Sequence, residues 1–400
     1  MAAGMAPAVG LLLLLALLPS TASSGLVFDL VGNVYPNGNF HITMYIGDPA
    51  KPYFLDMDTG SKLTWVECGA RRVPCQTCSK PPHPLYRPPG NKLVRCTDPL
   101  CRALRQDVGT PPSCHENVCN YKIQYADGSS SVGMLVQDKF TFPSGATDPA
   151  IAFGYGCHQG CNPDTATGVD GMLGLGRGSL DLVSQLKNHR IITKNVFAHC
   201  LSSNGGGYLS IGDENVLSEP VNWVPMAPRT HGRYSPGQAT LHLDTASIGA
   251  STDVLLDSGS TYTVLPKPVY RKLISTLKAS LSSSVKLVHD PSMPPDSLCW
   301  RGPGVFKSWG DIKREFKSVM SLNFDHGATM MIPPEKYLVI TKHGNACLGI
   351  LEMEVSTYII GDITMQDQIV IYDNENGRLG WGPSQCAKKP KSQSAIMSRI

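Results

Sequence analysis

The chain is short of charge. Only 17% of its 400 residues are Asp, Glu, Lys or Arg, against about 25% in an average soluble domain. The balance is +3, from 35 Lys and Arg against 32 Asp and Glu, which excludes the strongly basic footprint of a nucleic-acid partner. Helical periodicity is scarce too. Only Leu180 to Lys187 and Val269 to Leu281 carry it, which excludes a helical bundle or coiled coil. The one long apolar run, Leu11 to Leu18, falls well short of the ~20 residues that cross a bilayer. No Asn-X-Ser/Thr acceptor for an N-linked glycan occurs. The residues from Ala387 to Ile400 are polar and basic, which excludes a lipid-anchor signal and reads as a solvated tail.

What is present points to export and to β structure. The apolar run is followed by Pro19-Ser20-Thr21-Ala22-Ser23-Ser24, small residues suited to cleavage near Ser23. Residues 1–23 therefore read as a secretory signal peptide. Export makes the 13 cysteines disulfide candidates first and metal ligands second. Their number is odd, so one thiol is left over. Gly and Pro number 39 and 31, both above average usage, which means short elements and many turns. The length suits one large or two ordinary domains.

From Tyr35 the pattern has period two. Phe40, Ile42, Met44 and Ile46 alternate with His41, Thr43 and Tyr45, and a second strand runs from Pro52 to Asp58. Similar runs recur at Tyr121–Tyr125, Gly133–Val136 and Ile369–Tyr372, which makes the fold mainly β. Between Cys68 and Cys119 the chain is rich in Pro, Cys and Arg with little periodicity, and reads as a disulfide-pinned surface insertion. Asn204-Gly205-Gly206-Gly207 reads as a hairpin turn. The glycines of Gly174-Leu175-Gly176-Arg177-Gly178 lack the spacing of a dinucleotide loop and read as close backbone packing.

The chain also repeats itself. Leu55-Asp56-Met57-Asp58-Thr59-Gly60-Ser61 has a counterpart in Leu255-Leu256-Asp257-Ser258-Gly259-Ser260. Downstream of each lies an apolar pair and a glycine, Met172-Leu173-Gly174 and Ile359-Ile360-Gly361. So long a unit implies two related lobes, joined near Val221–Pro225. One Asp-Thr-Gly is a common turn, but two in matching context point to a carboxylate dyad. Gly60 and Gly259 let the backbone bend beside each aspartate. Their amides, with the hydroxyls of Ser61 and Ser260, can hold Asp58 and Asp257 in place, while Thr59 and Ser258 turn inward and tie the loops together. Two carboxylates a few ångströms apart share one proton and offer an acid and a base at once, titrating as a unit. Asp56 lies on the same face as Asp58 in a regular strand; a hydrogen-bonded structural role is expected there, with tuning of the dyad as the alternative.

At these residues the sequence resembles the pepsin-like aspartic proteases, from Tyr35 to about Cys386. Trp65, seven residues after Asp58, matches the family tryptophan that bonds the flap tyrosine, and Tyr125 matches that tyrosine. Gly361-Asp362, after Ile359-Ile360, matches the second glycine loop. The cysteine-rich insertion is similar to the plant nepenthesin-related branch. Leu30–Tyr35 and Lys194–Leu201 resemble its nucellin-like members.

The resemblance implies a bilobal mainly β fold with the active site in a cleft between the lobes. It divides the mature chain into an N-terminal lobe with flap and insertion (24–222), a C-terminal lobe (223–387) and a polar tail (388–400). It implies an aspartic endopeptidase with no cofactor or metal, acting as a monomer on polypeptides with apolar side chains near the scissile bond, and travelling the secretory route to an extracellular or vacuolar site. It also implies disulfides Cys96–Cys119, Cys101–Cys114, Cys299–Cys347, Cys200–Cys386 and Cys68–Cys75. Cys78 has two candidate mates, Cys157 and Cys161; alternatively Cys75 and Cys78 are half of a zinc or redox motif. The stretch before Tyr35 is shorter than the family's usual prosegment, and no saposin-like insert fits between Asp257 and Gly361. The competing expectation is a catalytically silent binding or inhibitor protein on the same fold. Such a relative would have lost an Asp, a loop Gly or the flap Tyr, and all are present here.

Overall fold

The computed structural model describes residues 25–69, 81–108, 113–142, 148–160, 168–212, 220–228, 232–294 and 296–389. The readings for residues 1–23 and for Cys75, Cys78 and Cys161 fall outside these. The architecture is mainly β, built on a 14-stranded and an 8-stranded sheet with a smaller 4-stranded one. The alternation read from the sequence becomes the strands Asn39–Ile46 and Lys51–Asp58, paired antiparallel with Ile42 opposite Leu55. Ile42, Met44, Leu55 and Met57 are all fully buried. Removing such side chains from water supplies about 1.5–3 kcal/mol each.

The repeat is structural. In the first half the strand Lys51–Asp58 runs parallel to Gly171–Gly174, with Asp58 opposite Gly174. In the second half Thr252–Leu256 runs parallel to Tyr358–Ile360, with Leu256 opposite Ile360. Parallel strands require a crossover, and the ends of these strands next to the aspartates are buried on successive residues, Leu55–Asp58 and Val254–Leu256.

The two halves are not cut cleanly apart. The strands Gln368–Asp373 and Arg378–Pro383 return from the end of the chain to the large sheet, where Gln368–Asp373 pairs with Val196–Leu201. Asn222–Pro225 adds to the outer side of Arg378–Pro383, and Cys200–Cys386 clamps this layer. Gly205 and Gly206 take positive φ between Val196–Leu201 and Gly207–Ile211, so a tight turn with the required left-handed backbone closes that hairpin.

Five α-helices occur among the described residues: α1 (Pro99–Val108), α2 (Leu182–Asn188), α3 (Lys267–Ser280), α4 (Trp309–Glu315) and α5 (Asp362–Met365). Helices α2 and α3 fall where the periodicity put them. Helix α1 was not anticipated, and it corrects the reading of the insertion as surface. Pro99 opens it and the Asp98 carboxylate caps it through the Leu100 amide at 2.9 Å. It buries Cys101 and Leu104 in a second apolar cluster with Leu63, Trp65, Cys119 and Tyr121.

This helix also corrects the disulfides. The bridges are Cys96–Cys114 and Cys101–Cys119, interleaved rather than nested. Cys101, on the buried face of α1, meets the buried Cys119, whereas Cys96 and Cys114 lie outside with solvent access. Cys299–Cys347 forms as expected. Cys68 is disulfide-bonded. Cys157, one of the two candidate mates of Cys78 and counted with the disulfide cysteines on that ground, is a free thiol. It is 4% exposed in the core, and burial pushes its pKa up to about 12.

Candidate active site

Asp58 ends the strand Lys51–Asp58, Asp257 follows directly on the strand Thr252–Leu256, and the two carboxyls meet. The loops that follow them are cross-tied. The Thr59 amide donates to the Ser258 hydroxyl at 3.1 Å and the Ser258 amide to the Thr59 hydroxyl at 3.0 Å. Each hydroxyl then donates to the strand of the other half, Thr59 to the Leu256 carbonyl and Ser258 to the Met57 carbonyl. Thr59 and Ser258 are buried, so every polar group of this tie is satisfied away from water, and the spacing of the two aspartates is fixed by it.

The carboxyls are held by their own loops. Asp58 Oδ1 accepts from the Gly60 amide at 2.7 Å and the Ser61 amide at 3.1 Å, and its Oδ2 from the Ser61 hydroxyl. Asp257 Oδ1 accepts from the Gly259 amide at 3.0 Å. The second loop differs from the first: no Ser260 hydroxyl bond reaches Asp257 among the described residues. Ser260 instead offers its carbonyl to the Asp362 amide at 2.8 Å. The glycines are demanded by close approach. A Cβ on Gly60 would stand 2.6 Å from both Asp257 carboxyl oxygens, and one on Gly259 the same distance from Asp58 Oδ1. Gly174 and Gly361 pass equally near the backbones of Lys62–Leu63 and of Ser260–Tyr262.

The two carboxyls hydrogen-bond each other. Burial raises the pKa of both, and the neighbouring Asp58 charge raises Asp257 further. Asp58, with three donors against one for Asp257, is the more firmly held of the two, and the pair shares one proton and titrates as a unit. Two more buried carboxyls lie beneath. Asp56 is raised well above its usual range, first by burial and then by Asp58; Asp362 is raised by burial and by Asp56, Asp257 and Asp58. Asp56 accepts backbone amides of Met57 and Phe40, yet Oδ1 of Asp56 and Oδ1 of Asp362 have no hydrogen-bond partner. Asp56 is thus hydrogen-bonded to the backbone, as the structural expectation has it. The role of Asp362 was missed, although its place after Gly361 in the second repeat marks it.

Over the dyad lies the hairpin of Val118–Gln124 and Ser130–Thr141, with an exposed tip at Ala126–Gly128. Tyr125, at the start of its turn, accepts a hydrogen bond from Trp65 Nε1 at 2.6 Å. Trp65 itself rests on the cluster that α1 completes, so the insertion supports the flap from below. Among the described residues no group of three or more His, Cys, Asp or Glu is arranged to hold a metal ion.

Two lobes sharing one sheet, each ending a strand in Asp-Thr/Ser-Gly with the carboxyls facing across the seam, define the aspartic protease class. The chain belongs to the pepsin-like aspartic protease family, and it is an aspartic-type peptidase. The family models described as "Xylanase inhibitor N-terminal" and "Xylanase inhibitor C-terminal" match residues 40–213 and 235–383. An aspartic proteinase of Oryza sativa subsp. japonica is 47% identical over the full length of both chains. Among solved structures, soybean basic 7S globulin superposes with a TM-score of 0.69 at 17% identity, covering 92% of this chain and 99% of its own. An aspartic proteinase from Irpex lacteus does so with 0.65 at 16%, covering 91% and 98%. At these identities the structural likenesses establish the fold alone.

Proposed function

We propose that Asp58 and Asp257 are the catalytic pair of this endopeptidase, with Tyr125 as the closing residue of its flap. The ionised member takes a proton from a water held between the carboxyls, and that water's oxygen bonds to the scissile carbonyl carbon. The protonated member donates its proton to the carbonyl oxygen, giving a neutral tetrahedral diol. Collapse of the diol breaks the C–N bond, with the amine leaving as it gains a proton. No covalent intermediate with the protein forms. The observation that carries this reading is the mutual hydrogen bond of two carboxyls, Asp58 buried with three donors and Asp257 half-buried with one. Their raised pKa values keep a single proton on the pair into mildly acidic conditions.

The substrates are polypeptides with apolar side chains beside the scissile bond, and the protein works as a monomer in an extracellular or vacuolar compartment reached by the secretory route. The motifs at Leu30–Tyr35 and Lys194–Leu201 support a nucellin-like assignment within the plant branch. Purified protein is expected to cleave denatured protein at acidic pH and to be blocked by a statine-type inhibitor. In Asp58→Asn, kcat falls by about 10²–10⁴-fold or more, because the acid–base pair is lost. Inhibitor-sensitive activity absent between mildly acidic and neutral pH would sink the proposal.

A further inference from the structure

The insertion comes back to the catalytic lobe between His83 and Tyr86, and one carboxylate receives it. Asp170 Oδ1 accepts the His83 amide at 3.0 Å, and Asp170 Oδ2 lies 2.6 Å from His83 Nδ1. The same Oδ2 takes the Phe54 amide at 2.7 Å, from the strand that ends in Asp58. The His83 ring stands edge-on to Phe54, with 4.5 Å between centroids. Three residues on, the Tyr86 amide donates to the Glu67 carbonyl at 3.2 Å, and the Gly69 amide to the Tyr86 carbonyl at 2.8 Å. The returning segment is thus fastened at two points, on Asp170 and beside the strand Trp65–Glu67.

A second acid adjoins the first. The Glu67 amide donates to the Asp170 carbonyl at 2.9 Å, so the two acidic residues are direct neighbours. Glu67 is buried, and its Oε2 has no hydrogen-bond partner. Burial first, and then the Asp170 charge, push its pKa up to about 7. The other titratable groups packed round this place do not offset the Glu67 charge. His41 lies on the same Phe54 ring, 4.7 Å between centroids, and burial lowers its pKa. Tyr53 is pushed up to about 12 and stays neutral. Tyr86 donates to Asp138 at 2.7 Å, and Lys92 neutralises that carboxylate at 2.8 Å. Arg87 lies over Gly69, and among the described residues it is Asp170 whose charge acts on Glu67. In acid, Glu67 is uncharged and the protonated His83 ring makes a charged pair with Asp170. Toward neutral pH a second negative charge appears beside Asp170, and His83 without its extra proton keeps a plain hydrogen bond.

We propose that His83, Asp170 and Glu67 form a pH-operated latch, closed in acid and loosened toward neutral pH, that fastens the insertion to the catalytic lobe. Glu67 ends the short strand that Trp65 opens, and Trp65 donates to Tyr125 of the flap. Loosening the latch therefore withdraws support from the flap, so acidification switches activity on. This effect on activity rests on the catalytic reading above, whereas the latch itself does not. Its sign follows from Glu67. That group's contribution to the closed form is fully present below its ordinary value of 4.5 and is lost as pH rises through about 7. When the segment lifts, Glu67 meets water and releases its proton. Opening becomes easier by up to about tenfold per pH unit across that window.

Hydrogen exchange on the full-length native protein reads the opening directly. After correction for intrinsic rates, the His83 and Tyr86 amides are expected to open at least about tenfold more often at pH 7 than at pH 5. The strand Cys299–Arg301, in the 4-stranded sheet, should not follow. In Glu67→Gln the rise should shrink to less than about threefold, and the alkaline limb of kcat/KM on a quenched-fluorescent peptide should move to higher pH. In His83→Gln opening at pH 5 should increase about fivefold, as the loss of a partly exposed charged pair does. Opening that is equal at pH 5 and pH 7 overturns the latch, whatever the activity. A rise in Glu67→Gln as steep as in wild type overturns it too. A flattened rise with an unmoved alkaline limb overturns its hold on the flap. Absence of peptidase activity at every pH overturns the catalytic reading, and the exchange measurement still decides the latch.

Discussion

Gly60 and Gly259 are the residues on which the catalytic spacing turns, because each passes within contact distance of the opposite aspartate. In Gly60→Ala the new methyl group would have to displace the Asp257 carboxyl, 2.6 Å away. Misplacement of a reacting group by about an ångström costs on the order of 10²-fold in rate. That loss should appear in kcat, measured beside a circular dichroism melt to separate it from unfolding. The free thiol offers a second test. Cys157 is buried and its pKa is pushed up to about 12, so a maleimide should leave it unlabelled in the native protein and label it after denaturation. Peptide mapping that placed the label on another of the described cysteines would refute the assignment. The dyad was legible because function requires particular residue types at particular spacings, and the sequence prints both twice. The pairing of Cys96, Cys101, Cys114 and Cys119 was not legible, since spacing alone permits several connectivities and only the helix between them selects one.

The insertion and the flap act as one element through α1. Leu104 of that helix is fully buried against the cluster that holds Trp65. Trp65 in turn donates to Tyr125. Leu104→Ala is expected to destabilise the protein by about 2–5 kcal/mol and to raise KM, because Trp65 loses support; a chemical melt and Michaelis kinetics together check this. Trp65→Phe removes the hydrogen bond and only part of the buried ring, so its effect should fall on substrate closure with a smaller change in melting temperature. The helix escaped sequence reading because four cysteines and the prolines around it obscured its start signal. Asp98 before Pro99, with Leu100, Ala103 and Leu104 following, is such a signal once the disulfides are set aside.

Across the whole molecule, buried acids make stability depend on pH. Asp56 and Asp362 are raised well above the usual carboxylate range, and Glu67 is pushed up to about 7, in each case first by burial. Between the unfolded values near 4 and these folded values, the native state keeps protons that the unfolded state has released. Stability from these groups is therefore fully present below about pH 4 and is lost as pH rises, by up to about 1.4 kcal/mol per pH unit for each group. In Asp362→Asn the decline in melting temperature from pH 5 to 8 should be shallower than in wild type. An unchanged slope would show that Asp362 ionises freely. The two-lobed fold was legible at this scale from the repeat; the sharing of one sheet by both halves was not, because no local pattern records which distant strand a strand will join.

That shared sheet bears on the order in which the protein is made. The strand Val196–Leu201 pairs with Gly207–Ile211 on one edge, but its other edge stays open until residues 368–373 have been synthesised. The first half of a nascent chain must therefore wait with an open, apolar sheet edge, a state prone to wrong pairing. The same delay is protective. A growing chain has one aspartate loop long before it has the other, and the layer that joins the lobes closes last, so proteolytic power arises only when synthesis is nearly complete.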